Sequence, residues 1–183
     1  MKILVEDLFE FSKTQARDAV LNLTTISLGD LFAQLLASYE IEAHEHQIEM
    51  MQITNPELII LEADSDKLAR VLINLITNAF KYGEGATYIK LTAQVKAQEV
   101  EIRVINNGVQ IPQEALLEIF DRFYRVESSR NSKTGGTGLG LAIVKGIILQ
   151  HGGTVRATSD AELTTFIMTL PLKQSRGNRD EVD

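Results

Sequence analysis

The sequence predicts an α+β chain: a two-layer α/β sandwich in which helices cover one face of a mixed, largely antiparallel sheet. Two observations carry this. Apolar residues recur three and four apart in two long stretches, Leu28, Leu31, Phe32, Leu35, Leu36 and Tyr39, then Leu68, Leu72, Leu75, Ile76 and Ala79. That spacing gives a helix one buried face. Around them lie short alternating runs such as Val100, Ile102 and Val104, joined by brief polar links and lacking strict strand–helix–strand alternation.

In chain order, residues 1–18 space Ile3, Leu4, Leu8 and Phe11 as a helical stripe with little to pack on. They read as the end of a longer helix of a larger protein, ahead of a domain over residues 19–172. Alternation over 19–27 predicts a strand, and residues 27 to 43 an amphipathic helix. Short strands at 48–54 and 58–62 flank the turn residues Asn55-Pro56. Asp64 or Ser65 supplies the cap of a helix ending near Tyr82, because a short oxygen-bearing side chain satisfies the orphan N–H groups of a first turn. Strands at 86–95 and 98–105 share the link Lys96-Ala97-Gln98. A turn, a short helix opened by Pro112 and a polar loop lead to a helix at 138–151. A terminal hairpin pairs 154–158 with 164–171. Residues 173–183 contain almost nothing apolar and are expected to be a disordered tail.

Composition narrows the function. The chain has 183 residues, 44% hydrophobic and 23% charged, enough for one core. No apolar run approaches the ~18 residues of a membrane span, and Met1-Lys2-Ile3-Leu4-Val5 runs into Glu6 and Asp7 without forming a secretory signal. We therefore expect no membrane contact by these residues and a cytoplasmic setting. With no cysteine there are no disulfides, thiolate metal sites or cysteine nucleophiles. A net charge of −7 argues against a nucleic-acid partner. The exception is local: Arg122, Arg125, Arg130 and Lys133 face only Asp121 and Glu127 within one segment, a cationic loop suited to a small anion. His44, His46 and His151 show no metal-ligand spacing. His151, before Gly152-Gly153, reads as a helix C-terminal residue, favoured there by the dipole.

Four motifs carry chemistry. Gly135-Gly136-Thr137-Gly138-Leu139-Gly140-Leu141 runs into the apolar Ala142-Ile143-Val144. A glycine loop feeding a helix start offers free N–H groups and a positive dipole end, which together bind phosphate. Asn74, Asn78 and Lys81 share one helix face, about 110° from the centre of the apolar stripe. Asparagine is a mediocre helix former, so the pair borders a ligand, with carboxamide oxygens for Mg²⁺ or its waters, or is a solvated face. Asn106-Asn107-Gly108 ends a strand, as many idle turns do. Phe120-Asp121-Arg122-Phe123-Tyr124-Arg125 sets aromatics among cations, either to anchor a phosphate-reaching loop or to end a helix in the core. The chain lacks the Gly-x-x-x-x-Gly-Lys-Ser/Thr loop, and its glycine run lacks the third glycine of a dinucleotide fingerprint.

From about Ala19 to Pro171 this constellation resembles the ATP-binding catalytic domain of sensor histidine kinases, among the Bergerat-fold ATPases. Asn74 to Tyr82 is similar to the family's asparagine box, Phe120 to Phe123 to its phenylalanine box and Gly136 to Leu141 to its second glycine box. Gram-positive sensors such as the vancomycin-resistance kinases are similar at the Asn106 turn. Residues 1–18 resemble the end of a dimerisation and phosphotransfer hairpin. The resemblance implies ATP and Mg²⁺ as cofactors, with Asn78 and Asn74 holding the metal and Asn74, Asn78 and Lys81 catalytic. Lys81 and Tyr82 would border the phosphates and nucleoside, and Gly136, Gly138 and Gly140 would donate N–H groups to the β- and γ-phosphates. Arg122 or Arg125 would steady the triphosphate, and Asn106, Gly108, Ile111, Phe120, Thr137 and Leu139 complete the expected nucleotide contacts. The reaction implied is γ-phosphoryl transfer from MgATP to a histidine outside this chain, in signalling to a response regulator.

Two departures qualify this. The family's first glycine box reads Asp-x-Gly-x-Gly, and here Asn106-Asn107-Gly108-Val109-Gln110 stands instead. Asn106 keeps an acceptor and can pair bidentately with adenine, at a loss on the order of 1 kcal/mol from the missing charge. Gln110 in place of glycine would cost roughly 1–2 kcal/mol if its backbone were left-handed. The family's phosphoacceptor histidine, followed by an acid and then Pro, is missing: His44-Glu45-His46-Gln47-Ile48 has no such Pro. Two other functions are therefore weighed: a nucleotide-binding regulatory module with weakened or no kinase activity, and an ATPase that hydrolyses ATP for conformational work.

Overall fold

The computed structural model describes residues 20–53, 59–126 and 136–174. The alternating runs become strands β1 (Leu23–Ser27), β2 (Glu49–Ile53), β3 (Ile60–Asp64), β4 (Tyr88–Lys96), β5 (Glu99–Asn106), β6 (Thr154–Ser159) and β7 (Thr164–Pro171). The periodic runs become helices α1 (Leu28–Ser38), α2 (Glu40–His46), α3 (Ser65–Tyr82) and α4 (Gly140–Gln150). A five-stranded sheet runs β2-β4-β5-β7-β6, parallel only between β2 and β4, as the two-layer expectation required.

Register explains the core. Across the antiparallel ladders Val100 faces Leu170, Ile102 faces Met168 and Val104 faces Phe166. These side chains share one face of the sheet, and all six are buried. On them pack Leu68, Leu72, Leu75 and Ile76 of α3 and Ile143, Ile147 and Ile148 of α4. The other face carries charged side chains beside the buried Ile167. There Glu101 accepts from Lys96 Nζ at 2.9 Å and from Arg103 Nη2 at 2.6 Å, and these cations hold its carboxyl below the usual carboxylate range.

Two elements depart from the sequence reading, the helix over 27–43 and the segment after Pro112. The helix expected over 27–43 breaks at Tyr39 (φ −104°, ψ 5°) into α1 and α2. Beyond Tyr39 only Ala43 is buried, so a straight continuation would carry Glu40, Glu42 and Glu45 with almost nothing to pack. The strands on either side of Asn55-Pro56 do not share a sheet: β2 joins β4, whereas β3 pairs antiparallel with β1 in a separate two-stranded ribbon. Hydrogen bonds from Asn22 N to Asp64 Oδ2 (3.0 Å) and from Leu28 N to Ile59 O (3.0 Å) close the two ends of that ribbon. After Pro112 the chain makes consecutive turns rather than a helix, with Ala115 N bonded to Pro112 O and both Glu118 N and Ile119 N to Ala115 O. The helical stripe of residues 1–18, the Asn55-Pro56 turn and the tail from residue 175 onward lie outside the described residues.

His151 ends α4, as the sequence reading placed it, but it is 1% exposed, so the dipole is not what favours it there. Its Nδ1–H donates to Ile147 O at 2.8 Å and its Nε2 accepts from Asp64 N at 3.0 Å, partners that assign the neutral tautomer. Burial pushes its pKa below the ordinary value, against the opposing pull of the Ile147 carbonyl and Asp64.

Candidate functional site

The site forms where three chain ends meet: the last turns of α3, the end of β5 and the start of α4. Asp64 caps α3, its Oδ1 accepting from Lys67 N at 3.1 Å, and the apolar stripe then fixes the helix rotation. That rotation turns Asn74, Asn78, Lys81 and Tyr82 toward one cavity of about 360 Å³. The ligand-bordering alternative for the asparagine face is the one this geometry supports.

Beyond α3 the chain comes very close to the β5 turn. A Cβ on Gly108 would fall on the backbone of Gly83, and a Cβ on Gly83 would fall on Ala79 O. Only glycines allow α3 and the turn to touch, and the touch brings Asn106 to the cavity edge at 4% exposure. Asn107 points elsewhere. Its Oδ1 accepts from Thr87 N and Tyr88 N, so it is a brace for the entry to β4. Ile111 N donates to Ser159 Oγ at 2.9 Å, which folds the segment after the turn against β6. The backbone of Gln110 is not left-handed, so it carries none of the strain considered for a residue in a glycine position.

On the far side Gly138 adopts φ +71°, and a Cβ there would sit 2.8 Å from Phe123 Cα. Gly138 O also accepts from Phe123 N at 2.9 Å, joining the aromatic segment to the glycine loop. Leu139 N bonds Thr137 Oγ1, and no acidic residue occupies the first turn of α4. Gly136, Thr137 and Gly138, leading into that helix, and Gly140 at its first position line the cavity, and a helix start is where unpaired N–H groups favour an anion.

Of the residues singled out in the sequence, Asn74, Asn78, Lys81, Tyr82, Asn106, Ile111, Arg125, Gly136, Thr137, Gly138 and Gly140 line this cavity. Four do not. Gly108 positions the turn, Leu139 is fully buried in the core and Arg122 is exposed. Phe120 is buried and meets Phe166 edge-on at 6.4 Å, so it supports a wall. Gln110 and Tyr124, quoted in the motifs without a contact role, also line the cavity, as do Thr164 and Phe166 of β7 and Glu84, which were not picked out. Alternation in β7 sets 164 and 166 on the same face as the core, and that was the available signal.

The donor set fits a metal that arrives with phosphate. Among the described residues no three His, Cys, Asp or Glu side chains gather into a metal site. Asn74 Nδ2 is buried without a hydrogen-bond partner, an orphan that a phosphate oxygen or a metal-bound water would satisfy. The two ends of an amide are interchangeable, so the same position can also present oxygen to Mg²⁺.

Comparisons with known proteins agree with this geometry. The model of the histidine kinase-, DNA gyrase B- and HSP90-like ATPases matches residues 63–174. The chain is 39% identical over 170 residues to the sensor protein VanS of Enterococcus faecium, covering 92% of this chain and 43% of VanS. It is 35% identical over 176 residues to the sensor histidine kinase WalK of Bacillus subtilis, covering 94% and 29%. The chain thus spans less than half the length of these relatives. Its fold matches the catalytic domain of the histidine kinase ThkA (TM-score 0.74, 29% identity, 84% of this chain and 97% of that one). It also matches full-length ShkA in complex with AMPPNP (TM-score 0.83, 27% identity, 94% and 36%). A third match is ThkA in complex with the response regulator TrrA (TM-score 0.75, 28% identity, 93% and 47%).

Proposed function

Because the chain belongs to the histidine kinase-, DNA gyrase B- and HSP90-like ATPases, we propose that it is the nucleotide-binding catalytic domain of a two-component sensor kinase. In that role it binds MgATP and presents the γ-phosphoryl group to a histidine of a separate phosphotransfer hairpin. The observation that carries this reading is the convergence on one cavity of the α3 amide face and the open start of α4.

Each residue then has a task. The N–H groups from Gly136 to Gly140 and the dipole of α4 hold the β- and γ-phosphates. Lys81 and Arg125 balance their charge, while Asn106 reads the base edge. Asn74 and Asn78 orient the metal, which when bound offsets charge between the phosphates. Little covalent chemistry falls to the protein, so positioning supplies most of the rate. None of the three histidines fits the acceptor role by sequence, and His151 has both ring nitrogens engaged. A response regulator and a membrane-anchored parent with this domain on its cytoplasmic side complete the reading. No described helix is long and apolar enough to cross a membrane.

One test mixes the protein with a phosphotransfer hairpin and γ-labelled ATP. Label on the hairpin histidine supports the proposal, and its absence with both partners folded contradicts it. The amide at Asn106 favours a second reading, a nucleotide-binding regulatory module with weakened or no kinase activity. That reading calls for ADP affinity weaker than about millimolar and no transferred label.

A further inference from the structure

Register places three polar side chains in one row across the end of the sheet. Ser159 of β6 pairs with Thr164 of β7, and Thr164 pairs with Asn106 of β5. Paired residues share a face, and all three are buried. Asn106 and Thr164 line the cavity, whereas Ser159 stands one strand behind it, outside the lining. A buried hydroxyl needs partners, and that of Ser159 has two. It accepts from Ile111 N at 2.9 Å and shares a hydrogen bond with Thr164 Oγ1 at 2.6 Å. The Ser159 carbonyl accepts a third bond, from Gln113 Nε2 at 2.5 Å.

These bonds join two different walls. Val109, Gln110, Ile111 and Pro112 all line the cavity, in a segment that belongs to neither helix nor strand. No ladder of its own fixes that segment. Thr164 belongs to β7, which is paired on both sides, with β5 and with β6. Ser159 therefore fastens an irregular wall to a rigid one, through Ile111 N on one side and the Thr164 hydroxyl on the other.

We propose that Ser159 is a positioning residue for the nucleotide: without lining the cavity, it holds the 109–112 wall against β7 and so sets the shape into which the ligand fits. The proposal rests on the nucleotide-binding reading above. Without the Ser159 hydroxyl, Ile111 N–H loses its partner and the Thr164 hydroxyl is released to turn. The wall then has to be ordered during binding instead of beforehand, and affinity falls.

Titration calorimetry with MgADP and amide hydrogen exchange test this on the protein, Ser159→Ala and Ser159→Thr. In Ser159→Ala the affinity should fall at least about fivefold and Ile111 N–H should exchange at least about tenfold faster. The amides of Ile102 and Met168, in the centre of the β5–β7 ladder, should keep their protection. Ser159→Thr retains the hydroxyl and should bind MgADP within about threefold of the unchanged protein. Faster exchange at Ile111 with MgADP affinity unchanged would overturn the proposal and leave the nucleotide reading standing. Exchange accelerated along the whole ladder, or equal losses of affinity in both variants, would overturn it too. If Ser159→Ala does not fold, Gln113→Ala decides, because Gln113 is exposed and its side chain makes the third tie. A loss of affinity of about threefold or more would then support the proposal, and an unchanged affinity would overturn it. No binding of MgADP by the unchanged protein would overturn both the proposal and the nucleotide reading.

Discussion

His151 Nε2 accepts a hydrogen bond from the backbone N–H of Asp64, 3.0 Å away and 87 residues earlier in the chain. Asp64 is also the cap of α3 and, through Oδ2, the anchor for Asn22 N. One buried imidazole therefore ties the end of α4 to the start of α3 and to the chain entering the domain. Those two helices carry the amide face and the glycine loop of the cavity.

The junction predicts a pH dependence. The folded protein holds His151 neutral, with its pKa below the usual 6.5. Above that pH both folded and unfolded chains have a neutral ring and the group contributes no slope. As pH falls through 6.5 the unfolded chain takes up the proton first, so folding stability drops until the folded pKa is passed. Urea midpoints measured from about pH 8 down to about pH 5.5 should fall in the lower half of the range. His151→Gln should lose about 2 kcal/mol at the upper end and much of the slope. Parallel pH profiles for the two proteins would contradict the neutral, buried assignment.

Asn74 should show function set against stability. Its Nδ2 is buried and unpartnered, so the side chain adds little to folding. Asn74→Ala should leave the urea midpoint within about 1 kcal/mol of the original while weakening MgATP binding at least about tenfold. A large stability loss with affinity intact would mean that Asn74 is a packing residue.

Two glycines with nearly the same φ should behave differently. Gly138 (φ +71°) abuts Phe123, whereas Gly152 (φ +70°) has only a Pro171 side-chain atom at 4.0 Å. Either one changed to Ala costs roughly 1–2 kcal/mol of left-handed strain. Only Gly138→Ala should also push the aromatic segment off the glycine loop and reduce nucleotide affinity by more than about tenfold. Equal loss of affinity from both, read by calorimetry, would remove Gly138 from the site.

Gly108 tests the contact that brings Asn106 to the cavity. Its added Cβ would occupy the space of the Gly83 backbone, which no rotamer change can clear. Gly108→Ala should lower the melting temperature by several degrees and weaken ADP binding together. An unchanged melting temperature would show that the two turns do not need their close approach.

Much of this was written locally in the chain. The stripe of α3 and the alternation of β4, β5 and β7 report their buried faces directly, because side-chain period follows backbone geometry. The glycine loop and the α3 asparagines were legible for the same reason, since a polar residue in helical register needs an explanation. What was not legible depends on distant partners. Thr164 and Phe166 reach the cavity through pairing of β7 with β5, a register no local window contains. Asn106 and Asn107 look alike in sequence, and only Thr87 and Tyr88 distinguish the brace from the cavity-lining amide. The helix-end position of His151 was legible, but its burial and its bond from Asp64 N depend on a partner 87 residues away.

The central claim is that a polyphosphate sits between the α3 amide face and the first N–H groups of α4. Backbone amide resonances followed during titration with MgADP examine it most directly. Gly136, Gly138, Gly140 and Asn78 should shift together and saturably, while Gly152 and Gly153 at the other end of α4 stay in place. Resonances of the first group still unmoved at ~10 mM nucleotide, far above any functional dissociation constant, would contradict the account.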